Sequence, residues 1–175
     1  LACAAMLLPL LILCLQFAFK RPEQRWQVHM LDVGQGMSVV IESNNRAIVY
    51  DTGASFGNDF SYADRVVLPF LQSKGITAVD YLVISHGDND HAGGARVLMA
   101  AYPNVQVIAD VAQIAQINCR PKSLMWQHIK LEIIAPLVAE SGNNGSCVVR
   151  LSTRDNSLLL TGDIEARAEQ KLAAY

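Results

Sequence analysis

Ser85-His86-Gly87-Asp88-Asn89-Asp90-His91-Ala92-Gly93-Gly94 is the stretch from which the rest of the chain is read. Four potential metal ligands, His86, Asp88, Asp90 and His91, fall within six residues. They follow a near-continuous apolar run at 79–84, the kind of strand buried on both faces when helices cover a sheet. A glycine pair then leads into a short helix expected over 94–102. A strand end gives the ligands a rigid base, and alternate residues of an extended loop can converge on one centre. His86 and Asp88 are expected to hold one ion, while Asp90 and His91 aim at a neighbour. Two such ions, roughly 3.5–4 Å apart, would clamp both oxygens of a displacement at phosphorus. Asp163, at a distant strand end, is placed to bridge them. Aspartates among histidines favour hard or borderline ions, so manganese, magnesium and zinc all stay open.

Upstream of the cluster, strands are expected at 26–31, 37–42 and 47–50, separated by tight turns, which argues for an antiparallel start to a sheet. The first turn is Asp32-Val33-Gly34-Gln35-Gly36, where Asp32 can cap and two glycines permit a sharp reversal. The second is Asn44-Asn45. The third strand delivers Asp51-Thr52-Gly53, where Asp51 can cap its own turn and also organise the metal loop. Residues 54–62 read as loop. Val66, Val67, Phe70 and Leu71 fit one face of a helix over 63–74, with Pro69 either kinking it or marking its start.

Downstream, strands are expected at 105–109, 129–134, 147–151 and 158–160, and a helix from 165 towards the end. Residues 112–123 read mostly as helix and loop, and 140–145 as a polar loop. His29 and His128 lie in strands and read as structural. Cys119 and Cys147 can pair in an oxidising compartment, but buried free thiols are the expected state.

The amino-terminal part differs in kind. Residues 1–19 carry no charge, and a helix of that length spans about 28 Å, close to one bilayer core. They are expected to be the end of a polytopic membrane region, followed by a linker at 20–25 and a soluble domain at 26–175. The signal-peptide alternative is weaker, because Lys20 and Arg21 follow the apolar run instead of preceding it. Such charges argue for a cytoplasmic flank. A formal net charge of −2 gives no general attraction to nucleic acid. Any such contact must be local or metal-mediated.

With these motifs in order, the chain resembles the metallo-beta-lactamase superfamily, whose hallmark is H-x-H-x-D-H after a strand. Here the second histidine is Asp88. That departure, with Asp32 to Gly36, Tyr50-Asp51-Thr52-Gly53, Asn143-Asn144-Gly145-Ser146 and Leu160-Thr161-Gly162-Asp163-Ile164, makes it similar to the C-terminal domain of the ComEC-type competence family. The resemblance implies an α/β fold, an αββα sandwich incomplete at its C-terminus and preceded by a transmembrane helix. It implies two divalent ions (manganese, zinc or magnesium), with His86 and Asp88 on the first and Asp90 and His91 on the second. Asp90 would orient a water, and Asp163 would bridge.

Asp90 and Asp163 are thus the expected catalytic residues. Asp32, Gln35, Asp51, Asn143, Asn144 and Ser146 are the expected supporting or substrate-binding ones. A histidine common in the wider superfamily is missing at the Asn143 to Ser146 loop, where Asn144 or Ser146 would substitute through oxygen or contact substrate. Met37 stands where this branch often has an acid. A later His-His-Gly-Ser motif is also missing, so the chain reads as a fragment expected to hold one ion or none and to show little activity alone.

The implied function is metal-dependent phosphodiester hydrolysis of DNA during uptake across the inner membrane. The implied partners are single-stranded DNA, the membrane, the channel region of the same protein and other competence proteins. The branch places its soluble domain on the outer side, against the local reading of Lys20 and Arg21. The alternatives are a non-catalytic module that guides DNA or supports the channel, and a small-molecule metallo-hydrolase.

Overall fold

A computed structural model describes residues 25–57 and 59–173, so the expected membrane segment and most of the linker lie outside the described residues. Among the described residues, no helix is long and apolar enough to cross a membrane.

The chain opens as a meander of β1 (Gln27–Met30), β2 (Val39–Ser43) and β3 (Arg46–Tyr50), paired antiparallel with Met30 opposite Val39 and Val39 opposite Tyr50. Asn44 and Asn45 both take positive φ, 49° and 59°. Asparagine tolerates this better than most residues, and it gives the two-residue turn that matches strand twist. A small hairpin follows, β4 (Ser55–Phe56) with β5 (Phe60–Ser61), in a stretch expected to be loop. The expected 63–74 helix is divided. A π-helical turn at Ala63–Val67 leads directly into α1 (Leu68–Ser73), and Pro69, which has no N–H to donate, stands where the one gives way to the other.

Two parallel strands, β6 (Ala78–Val83) and β7 (Gln106–Ile108), complete a five-stranded sheet in the order β1-β2-β3-β6-β7. Between them run α2 (Asn89–Ala92) and α3 (Ala95–Ala101). A second, antiparallel sheet is ordered β11-β10-β9-β8, from β8 (Lys122–Trp126), β9 (Ile129–Ala135), β10 (Val148–Ser152) and β11 (Ser157–Leu160). Residues 112–123 form no helix. They cross in turns and a single bridge between Ile108 and Ile117, and β8 begins directly after Pro121.

Alternation along the strands fixes the layers. Val39, Ile41, Ile48 and Tyr50 meet Trp126, Ile129, Leu131, Ile133, Val149 and Leu151 in a core between the two sheets. Val40, Ala47 and Val49 point the other way, onto Val67, Leu71 and Leu98 of the helical layer. The chain is therefore an α/β sandwich with two sheets face to face. The second helical side is slight: α4 (Ala166–Ala173) buries none of its residues. It flanks a cavity of about 290 Å³ lined by Ile134, Pro136, Leu137 and Leu172. Elsewhere the outer face of the second sheet carries charge, with Arg150 and Lys130 paired to Glu132.

Two expectations about single residues resolve here. His29 is structural, with Nε2 3.0 Å from a Glu42 carboxylate oxygen and its ring against Phe70. Cys119 and Cys147 are not free thiols; they form a disulfide with Cα atoms 5.6 Å apart. Sequence spacing cannot show that approach. It arises because the 109–121 connection folds back against the start of β10.

At the pole away from the strand ends that carry the ligands, Asp80 accepts hydrogen bonds from Arg46 Nε and Trp126 Nε1, each at 2.7 Å. Burial opposes its charge, but the Arg46 and Trp126 hydrogen bonds and the Arg46 charge outweigh it and hold the carboxyl below its usual value. A carboxyl lowered in the folded state stabilises fully above its unfolded pKa of about 3.9 and loses that contribution as pH falls through the folded value. Asp80→Asn is therefore expected to cost about 1–2 kcal/mol at pH 7. In urea melts the gap to the parent should narrow progressively as pH falls below about 3.9. A gap that stays the same as pH falls would show that the charge is not what matters.

Candidate metal centre

Asp51 is the hub. It follows β3 with φ 58° and is fully buried. Its Oδ1 accepts the Ser85 N–H at 2.7 Å, and its Oδ2 accepts the Ser85 hydroxyl at 2.7 Å and His91 Nδ1–H at 2.9 Å. These bonds settle the ring states. A carboxylate only accepts, so His91 carries its proton on Nδ1. The Ser85 hydroxyl proton is committed to Asp51, so His86 Nδ1, 3.0 Å from Ser85 Oγ, must also be a donor. Both rings, with centroids 4.3 Å apart, then present Nε2 lone pairs outward.

What those lone pairs face is a set of further acceptors. His91 Nε2 stands 3.2 Å from an Asp163 oxygen and 3.8 Å from an Asp90 oxygen, and His86 Nε2 stands 3.4 Å from an Asp88 oxygen. Acceptors this close repel unless a cation or a proton lies between them. Burial works against a charged His91. The Asp51 hydrogen bond and the charges of Asp51, Asp163 and Asp90 outweigh it and raise the pKa. A proton competing for His91 Nε2 would have to leave for a metal to bind there.

Among the described residues, His86, His91 and Asp163 bring one ligand atom each within 4.8 Å of one another, enough to hold one ion. The expected two-ion site is not assembled to that standard. Asp88 and Asp90 stand at the margin, each beside one histidine. The physical reason is that residues 89–92 are not extended. Asp88 is extended (ψ 148°), and the chain then turns helically through Asn89–Ala92. This folds His91 inward beside His86 and leaves Asp88 60% exposed.

The supporting residues fall at several distances from this cluster. Asp32 Oδ1 caps its turn by accepting the Gly34 N–H at 3.2 Å, and Gln35 is exposed in the same turn. That turn packs on the back of the metal loop, where the Met37 N–H donates to the Asp90 carbonyl at 3.3 Å. Ser146 is fully buried, with Oγ 3.5 Å from His86 Nδ1, and it accepts the Asp163 N–H at 3.3 Å. Asn143 contributes its carbonyl, which takes the Ser146 hydroxyl at 2.6 Å. Both ends of the Asn144 amide are used by Glu165, through Nδ2 to Oε2 at 2.9 Å and Oδ1 from the Glu165 N–H at 3.1 Å. Asn144 thereby fastens the start of α4.

Ser85 is the functional residue that sequence reasoning missed. Its only signal was a hydroxyl directly before the first histidine. Thr52 was missed as well. Its N–H and hydroxyl both donate to the His91 carbonyl, at 2.8 and 3.0 Å, and hold the helical turn in place.

Residues 31–175 match the metallo-beta-lactamase superfamily. The chain belongs to that superfamily. It is 42% identical over 155 residues to Recombination protein 2 of Haemophilus influenzae, covering 85% of this chain and 19% of that protein. It is 30% identical over 155 residues to Competence protein ComA of Neisseria gonorrhoeae, covering 86% and 22%. The chain thus spans about a fifth of the length of these relatives. A hydroxyacylglutathione hydrolase of Vibrio parahaemolyticus is 26% identical over 126 residues, covering 72% of this chain and 45% of the relative. Among solved structures, a metallo-beta-lactamase from Cronobacter sakazakii superposes with TM-score 0.57 at 18% identity, covering 84% of this chain and 68% of that one, a likeness of fold. In a chain of this superfamily, His86, His91 and Asp163 form a cluster of metallo-hydrolase type capable of coordinating one metal ion.

Proposed function

We propose that the domain is a metal-dependent hydrolase whose cation is held by His86, His91 and Asp163. The observation that carries this is the facing of Nε2 lone pairs and carboxylate oxygens at 3.2–3.4 Å with no protein donor between them. Two imidazole nitrogens and one carboxylate suit zinc or manganese. A divalent ion there supplies Lewis-acid polarisation of a carbonyl or phosphoryl oxygen and lowers the pKa of a water. The chain's own residues do the rest. Asp51 and Ser85 keep both Nδ1 atoms protonated, and so both Nε2 atoms available. Asp90, one-third exposed beside His91, is placed to accept a proton from water. Asp88 and Asp163, 60% and 42% exposed, leave the centre open on one side for substrate.

Two substrate readings each have an observation behind them. Hydrolysis of a small-molecule thioester, ester or amide is supported by the hydroxyacylglutathione hydrolases, which the chain matches over the larger share of their length. Cleavage of DNA phosphodiesters during uptake is supported by the higher identity to proteins named for recombination and competence. On that reading the domain works beside a membrane channel, on its outer side, with single-stranded DNA as partner. A tethered domain needs little affinity of its own there, because the local concentration is high.

One panel separates them. The 175-residue chain, in detergent with manganese or zinc, is offered an S-acylglutathione, a chromogenic cephalosporin, and single- and double-stranded DNA. Turnover that a chelator abolishes is expected on one class. Stoichiometric metal without turnover on any would point to a non-catalytic module. Failure to retain metal in equilibrium dialysis would overturn the hydrolase reading.

A further inference from the structure

The Cys119–Cys147 bridge lies fully buried in the core between the two sheets. Its two ends have different surroundings. Cys119 belongs to the 109–121 connection, which contributes no ligand, and its N–H donates to Asp110 Oδ1 at 3.0 Å. Cys147 stands at the entrance to β10 and is built into the metal centre through its backbone. Its N–H donates to the Ser85 carbonyl at 2.7 Å, and its carbonyl accepts the Tyr50 hydroxyl at 2.9 Å. The residue before it is Ser146, whose hydroxyl touches both His86 Nδ1 and the Asp163 N–H. The residue that Tyr50 precedes is Asp51. The sulfur–sulfur bond therefore ends one residue from groups that set the placement of all three ligands.

We propose that the Cys119–Cys147 disulfide is a positioning element of the metal centre, formed in an oxidising compartment, so that the centre reaches full metal affinity only there. The proposal rests on the metal-hydrolase reading. Unbonded sulfurs need a separation of about 3.5–4 Å in place of a bond of about 2 Å. In a core closed between two sheets, part of that displacement falls on the Cys147 backbone, and from there on Ser85 and Ser146. Buried disulfides of this kind form and persist outside reducing cytosol. Formation breaks two S–H bonds and makes one S–S bond. The two electrons and two protons pass to a disulfide donor, whose own S–S bond opens to two thiols. A phosphine reverses this, becoming the phosphine oxide with oxygen from water.

The test uses the 175-residue chain secreted into an oxidising compartment. Linked peptides are mapped by mass spectrometry, and manganese affinity and far-UV circular dichroism are measured before and after phosphine treatment. The same is done with the double variant Cys119→Ala, Cys147→Ala. The expected result is a Cys119–Cys147 linked peptide and a tenfold or greater loss of metal affinity on reduction and in the variant, with the dichroism unchanged. Free thiols at both positions, or affinities within twofold, would overturn the proposal. So would joint loss of affinity and dichroism, which would make the bond a staple of the whole fold. Absence of metal in every state would defeat the hydrolase reading itself, and this proposal with it.

Discussion

Replacing Asp51 with alanine is expected to weaken metal binding about 10–100-fold, the usual consequence of removing a partner that orients a ligating histidine. None of the lost groups would touch the metal. Asp51 accepts three hydrogen bonds while fully buried: from the Ser85 amide, the Ser85 hydroxyl and His91 Nδ1–H. Alanine leaves these donors in a dry site, each at about 1–3 kcal/mol. The fold should lose about 3–9 kcal/mol in total, at or above the roughly 3–5 kcal/mol of breaking a buried pair from one side. The Ser85 hydroxyl is then free to turn towards His86, and His91 is free to exchange tautomers, so both Nε2 lone pairs lose their assignment. Asp51→Asn should retain more stability than alanine but still bind metal poorly, because its amide offers a donor where the site needs only acceptors. Equilibrium dialysis with zinc and urea unfolding would read the two effects separately. Parent-like metal affinity in Asp51→Asn would remove Asp51 from the mechanism.

The second large effect is expected at Gly36. Its φ is 110°, and a Cβ placed there would lie 2.8 Å from the carbonyl carbon and the Cβ of Asp90. Left-handed strain costs about 1–3 kcal/mol, and forced overpacking about 1–3 more. Gly36→Ala should therefore destabilise by roughly 2–6 kcal/mol. Part of the effect should appear as weakened metal binding, because the displaced residue is the immediate neighbour of His91. Gly142→Ala is the control. Gly142 also has positive φ, 69°, but nothing lies within 4 Å of an added Cβ, so it isolates the strain. Equal unfolding midpoints for the two variants would show that close packing of the Asp32 to Gly36 turn on the metal loop is unimportant.

These two residues also show how far the sequence could be read. The Asp32 to Gly36 turn was legible because glycine pairs announce positive φ. That it packs against Asp90, far along the chain, was not. The ligand cluster was visible as a density of histidine and aspartate. Its geometry was not, because an extended reading of 88–91 aims alternate residues at common centres, whereas the helical turn brings His91 beside His86 and leaves Asp88 and Asp90 at the margin. The strands at 37–42 and 47–50 were legible from the turns that bound them, though not which of their faces meets the second sheet, and β6 announced itself as a doubly buried strand by an apolar run that only Asp80 interrupts. β8 was missed because Lys122 to Trp126 has neither alternation nor a run, and its pairing with β9 supplies what its own sequence lacks. The disulfide was missed for a related reason. Cys119 and Cys147 are 28 residues apart, and only the path of the intervening chain decides whether their Cα atoms meet.

The Asp51 hydrogen bonds reach across 34 residues to Ser85 and 40 to His91, and Ser146 and Asp163 join from farther still. No local segment can hold the metal, so competence to bind it should appear late in folding, after the parallel pairing of β3 with β6 and the closure of the second sheet onto the first. Such long-range closures are the slow ones. An ion that binds only the finished arrangement draws the population towards it by mass action. In refolding experiments, metal uptake should therefore lag behind secondary structure and track the final loss of exposed apolar surface. The centre would then act as a clock for completion of the fold.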